Sequence, residues 1–109
     1  MATFTRKKLA FLQLPDTKGD IYTTPASTTG LIHNIVIHNT DSVIRDVTIN
    51  YHDGTNEYAI FELQVPALDT VILDFIGEGL LVDAVSKLTG LASAATTVNC
   101  LVTGSEETV

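Results

Sequence analysis

The 109-residue sequence has no tryptophan, one cysteine, three prolines and only six cationic side chains. Each scarcity removes a possibility. A lone cysteine cannot close an internal disulfide, and a chain of this length buries roughly two-thirds of its unfolded surface without one, so a single unstapled domain is expected. Cys100 shares the face of an alternating run with Val98 and Val102, which makes it a small core residue and not a reactive thiol. No apolar run approaches the roughly 18 residues of a membrane span, and the N-terminus lacks the apolar stretch of a signal peptide; neither membrane contact nor export is expected. Without tryptophan, and with only Tyr22, Tyr51 and Tyr58 as tyrosines, the chain is poor in the aromatic platforms that bind sugars.

The few cations are also unevenly placed. Residues 1–19 hold Arg6, Lys7, Lys8 and Lys18 against Asp16 alone, whereas residues 20–109 hold only Arg45 and Lys87 against twelve carboxylates. A body so acidic repels phosphate backbones, and three adjacent cations are too short a cluster to overcome that, so no nucleic-acid partner is expected.

What the chain does have is alternation. From Gly30 to Val65 three strand-like runs follow one another. In the middle run Val43, Arg45, Val47, Ile49 and Tyr51 fall on one face and Ile44, Asp46, Thr48, Asn50 and His52 on the other. In the third, Ala59, Phe61, Leu63 and Val65 alternate with Tyr58, Ile60, Glu62 and Gln64, and Asp53-Gly54 between the two runs is the strongest hairpin signal present. The first run, Leu31 to His38, is apolar on both alternations, as in a central strand covered on both sides or one facing a partner molecule.

Around this centre, turn residues mark further strands. Leu9 to Leu14 is β-compatible and reads as an arm that could add to another sheet edge. Strands are expected over residues 20–24, 70–75, 80–87 and 96–103, with Pro66-Ala67-Leu68-Asp69 and Ile76-Gly77-Glu78-Gly79 as turns and 88–95 as a small-residue loop. The expectation is one all-β sandwich of jelly-roll or immunoglobulin-like topology, with about seven or eight strands. Its parts would be a basic N-terminal arm over 1–19, the sandwich over 20–104 and a solvated acidic tail over 105–109.

No constellation in the sequence carries chemistry. His33 and His38 are five apart, so a regular strand puts them on opposite faces, and His52 lies out of register with His38; a metal site is not expected. Asp53 to Glu57 lacks the ligand pattern of a calcium loop and is explained as a hairpin tip. Asp46, Glu62, Asp74 and Asp83 alternate with apolar residues, as an outward face does. No Gly-x-Ser-x-Gly elbow occurs, and Gly77-Glu78-Gly79 offers no amide cradle for an anion. Neither an enzyme nor a cofactor is expected.

The order Ile21-Tyr22-Thr23-Thr24-Pro25-Ala26, then Leu31-Ile32-His33-Asn34-Ile35-Val36-Ile37-His38-Asn39-Thr40, then Val71-Ile72-Leu73-Asp74 and Leu80-Leu81-Val82-Asp83-Ala84, resembles small tailed-bacteriophage virion proteins. The resemblance covers about Asp20 to Gly104 and is one of strand punctuation. It implies a structural β-sandwich in the virion that decorates or cements the capsid shell by contacts with major capsid or other virion proteins. The alternative it leaves is a tail- or fibre-associated module binding a receptor or glycan through residues 24–30, 52–56 and 88–95. The docking residues expected for the first role are Arg6, Lys7 and Lys8 for steering, with Leu9, Phe11 and Leu12 as apolar anchors. A homotrimer is expected to form through Leu31, Ile35, Ile37, Leu81 and Val85, because both alternations of those strands are apolar beyond the needs of one core.

Overall fold

The structure is a computed structural model that describes residues 3–75 and 79–108. Its strands are β1 Thr3–Gln13, β2 Gly19–Thr23, β3 Thr28–Asn39, β4 Arg45–His52, β5 Glu57–Val65, β6 Thr70–Asp74, β7 Leu80–Val82, β8 Lys87–Ala92 and β9 Val98–Thr108. Sheet I runs β1-β9-β3-β6, with the short β7 also on β3, and sheet II runs β2-β8-β4-β5. The turn expected at Ile76-Gly77-Glu78 lies outside the described residues, as do Met1, Ala2 and Val109.

The pairings have a simple logic. β4 pairs with β5, β3 with β6, β2 with β8 and β1 with β9, all antiparallel. These are nested, so the chain is one long two-ply ribbon folded at the β4–β5 hairpin. Rolling the ribbon up adds β9 against β3 and β8 against β4 and closes two stacked sheets. That wrapping is the jelly roll, and successive strands β1 to β4 alternate between sheets as it requires. Of the two topologies open to the sequence, the immunoglobulin-like one is therefore set aside.

Alternation fills the core. Val47 and Ile49 from β4, Ile35 and Ile37 from β3, Leu88 from β8 and Cys100 and Val102 from β9 are all at most 1% exposed. Each large apolar side chain removed from water contributes roughly 1.5 to 3 kcal/mol. The hairpin read from Asp53-Gly54 is present, with Val47 opposite Leu63 and Ile49 opposite Phe61.

Four expectations need correction. The arm is a sheet edge: β1 pairs with β9 from Thr3 to Gln13, because Ala10, Leu12 and Leu14 turn inward onto the core. The solvated tail is a strand too, since β9 continues to Thr108 and buries Glu106. Residues 88–95 are mostly β8, whose Leu88, Thr89, Gly90 and Ala92 are buried. Finally, the β3–β9 register shifts between Ile32 and Asn34, an extra residue that resets the alternation. Inward positions pass from Ile32 to Ile35, Ile37 and Asn39, so His33 and His38 both lie on the outer side.

Candidate functional site

Antiparallel strands put alternate loops at opposite ends of the sandwich. Residues 40–44, 66–69 and 93–97 lie at one end, and 24–27, 53–56 and 83–86 at the other. Hydrogen bonds tie each group together: Leu68 N–H donates to Asp41 C=O and Thr40 N–H to Thr97 C=O at the first end, and Thr24 N–H to Ser86 C=O at the second. The three segments expected to form a glycan site therefore do not converge.

The first end is built on Asn39. Its side chain is fully buried, and Nδ2 donates to the carbonyls of Val43 at 2.8 Å, Val65 at 3.0 Å and, more weakly, Pro66 at 3.3 Å. Oδ1 accepts from Asp41 N–H at 2.9 Å. One amide thus fixes two loops, and buried polar groups so satisfied hold a single conformation. Arg45 donates twice to Asp41 Oδ2, and with the Ser42 amide it holds the Asp41 carboxyl below the usual range. Out of this frame project Val43, Ile44 and Leu68, at 49%, 52% and 66% exposed. Leu68 also has φ of 59°, a left-handed conformation that a side chain with a Cβ adopts at a cost.

The outer face of sheet I is ordered in rows. Phe11, Leu101, Val36 and Ile72 stand opposite one another across β1, β9, β3 and β6, an apolar row spanning the sheet. On one side lies the row Gln13, Asn99, His38 and Thr70, whose members bond pairwise, Gln13 to Asn99 and His38 to Thr70. On the other lies Lys8, Thr103, Asn34 and Asp74, with Thr103 donating to Asn34. Lys8 Nζ sits 5.6 Å from the Phe11 ring centroid, which links the Lys8 row to the apolar one.

A groove of about 510 Å³ opens across β1, β9 and β3, lined by Arg6, Lys7, Lys8, His33, Thr103 and Gly104. Lys7 pairs with Glu106 at 2.9 Å while its side chain stays 45% exposed. Glu106 in turn accepts from Tyr22 Oη at 2.6 Å, a bond that crosses from sheet I to sheet II. The Tyr22 ring lies so close to Gly30 that a Cβ there would sit 2.8 Å from its hydroxyl, the kind of approach for which a strand keeps a glycine. Burial pushes the Tyr22 hydroxyl up, and the Glu106 bond adds to this. For Glu106, burial opposes the charge, but the bonds from Tyr22 and Lys7 together outweigh it and hold the carboxyl below its ordinary value.

The expected docking and oligomer residues separate. Arg6, Lys8 and Phe11 are exposed, whereas Leu9 and Leu12 are half-buried against the core. Leu31 and Leu81 are paired neighbours on the outer side of sheet I. Ile35 and Ile37 are fully buried and unavailable to any partner, and Val85 is exposed at the other loop end beside Gly54. Sequence reasoning missed Asn39 and Glu106. Among the described residues no cluster of three histidine, cysteine, aspartate or glutamate side chains could hold a metal. Burial pushes the Cys100 thiol up to about 12.

No family model matches the chain, and no curated protein matches it. Among solved structures, a pentameric capsid protein isolated from metagenomic phage sequences, determined twice, aligns over 94% of this chain at 13% identity with a TM-score of 0.38. The chain spans 60% and 63% of the length of those two structures. Infectious bursal disease virus, Gt strain, aligns over 97% of this chain and 31% of its own at 10% identity, also with a TM-score of 0.38. Likenesses this distant carry no argument, and the topology rests on the strand pairing alone.

Proposed function

We propose that the protein is a non-enzymatic virion structural protein that decorates or cements a capsid shell, with major capsid or other virion proteins as partners. Two things support the setting: the strand punctuation shared with small tailed-phage virion proteins, and the jelly-roll wrapping, which viral capsid domains share with lectins and cupins. A fold alone does not choose among those. The observation that carries a docking role is the end built on Asn39, where a buried amide and a left-handed backbone at Leu68 hold three large apolar side chains out into water.

The docking surface is thus moved from the N-terminal segment to this end. Of the six residues expected to dock, Leu9 and Leu12 pack against the core and Lys7 is held in an ion pair with Glu106, which leaves the exposed Phe11 together with Arg6 and Lys8, both exposed and without an ion-pair partner among the described residues. Homo-oligomerisation belongs to the same reading, although the expected trimer interface loses Ile35 and Ile37 to the core.

A particle-binding assay tests the proposal with wild type, the double variant Val43→Ser/Leu68→Ser, and Arg6→Gln, each at low and high salt. Two apolar side chains buried at a contact contribute roughly 1.5 to 3 kcal/mol each, whereas one exposed cation contributes about 0 to 1 kcal/mol. The double variant should lose at least tenfold in affinity at both salts, and Arg6→Gln should bind nearly as wild type. Undiminished binding by the double variant would remove the loop end as the docking surface.

A further inference from the structure

The outer face of sheet I is self-complementary, and we propose that it is the interface of a two-fold dimer of this chain. A two-fold axis lying along the strands, between two such faces, exchanges β1 with β6 and β9 with β3 while keeping each row in line with itself. Phe11 of one copy then meets Ile72 of the other, and Leu101 meets Val36. Lys8 meets Asp74. Every contact occurs twice, which is what an isologous interface demands.

Charge and size both select a second copy. Four of the six cations are already paired, Lys7 with Glu106, Lys18 with Glu57, Arg45 with Asp41 and Lys87 with Asp20. Arg6 and Lys8 make no ion pair among the described residues, and both stand on the outer side of β1. At the far end of the Lys8 row stands Asp74, also exposed and without an ion-pair partner among the described residues. The Lys8 row therefore carries a cation and a carboxylate at opposite edges of one face, with a continuous apolar row beside it. β1, β9 and β3 run some 35 Å each, and β6 and β7 lie end to end along the other edge of β3; at about 4.8 Å per strand they make a face on the order of 700 Å², near the roughly 800 Å² per partner of a stable complex. This dimer does not depend on what the loop end binds, and it replaces the three-fold assembly expected from sequence.

Sedimentation equilibrium on the purified full chain tests it without any particle. Wild type should be a dimer at micromolar concentration. Lys8→Glu and Asp74→Lys each place like charges opposite one another twice, and each should raise the dissociation constant at least tenfold. Mixing those two variants should restore association, because in the mixed dimer both charge pairs are attractive; the double variant Lys8→Glu/Asp74→Lys should recover on its own. Ile72→Ser should weaken the dimer with no change in the circular-dichroism spectrum, since the side chain is already 56% exposed. A wild-type monomer at tens of micromolar, a mass above the dimer, or single variants that associate as wild type would overturn the proposal.

Discussion

Glu106 shows how a single side chain can be misassigned and how it could have been found. Among Ser105, Glu107 and Thr108 it looks like part of a solvated tail. Yet the alternation Val98, Cys100, Val102 continues through Gly104 to Glu106, so strict period-two counting already aimed it inward. Composition concealed what phase disclosed. Its effect on stability follows from its protonation. A carboxyl whose folded pKa lies below the unfolded value of 4.5 contributes stability above that pH and loses it as pH falls through the folded pKa. Glu106→Gln should therefore melt lower than wild type at pH 7, with the gap closing as pH falls below about 4.5. Thermal unfolding across that range by circular dichroism measures it, and a gap that persists unchanged into acid would mean that the charge of Glu106 contributes nothing. Asn39 had no comparable signal: nothing in His38-Asn39-Thr40 says that one amide would reach two loops.

Elements were legible where alternation and turn chemistry agreed. The β4–β5 hairpin is the clear case, with Val47 and Ile49 alternating against polar neighbours and Asp53-Gly54 supplying the turn. β8 was not legible, because Leu88-Thr89-Gly90-Leu91-Ala92 lacks the pattern of a half-wet strand and contains a glycine that reads as a breaker. The packing reverses that sense: a Cβ at Gly90 would lie 2.9 Å from the Thr48 carbonyl and 2.7 Å from Ile21, so the glycine makes room for the β4 backbone and the β2 side chain that flank β8 within sheet II. β1 was half read: Leu9 to Leu14 showed as a strand, but the bulge where the register shifts between Lys8 and Ala10 changes the inward phase and hid its pairing with β9. The same bulge and its counterpart at His33 put the Lys8 row in line across the sheet. The loop between β5 and β6 makes a prediction at this scale. Relief of the left-handed strain at residue 68 gains about 1 to 2 kcal/mol, against a glycine entropy cost of roughly 0.5 to 1 kcal/mol. Leu68→Gly should thus raise the melting temperature by a few degrees while weakening particle binding. A lower melting temperature would show that the Leu68 side chain contributes to folding and is not held out for a contact.

At the scale of the whole molecule, the ribbon picture explains why topology was the hardest thing to read. Strand spacing revealed a sandwich, but the partner of each strand depends on where the ribbon folds and how it rolls. β1 with β9 and β2 with β8 join the two ends of the chain, and no local pattern specifies such distant pairs. The rolled ribbon also separates surfaces that a linear reading merged. The N-terminal cations become one edge of the sheet I face, and the apolar loops gather at one end of a body 49 Å long. A dimer through the sheet face leaves that end exposed in both copies. Electron cryomicroscopy of particles carrying the protein tests the virion role directly. The account predicts jelly-roll density on the capsid shell, with the end bearing Val43, Ile44 and Leu68 against the shell protein. Density at the distal tip of a tail, or on the shell with that end pointing away into solvent, would contradict it.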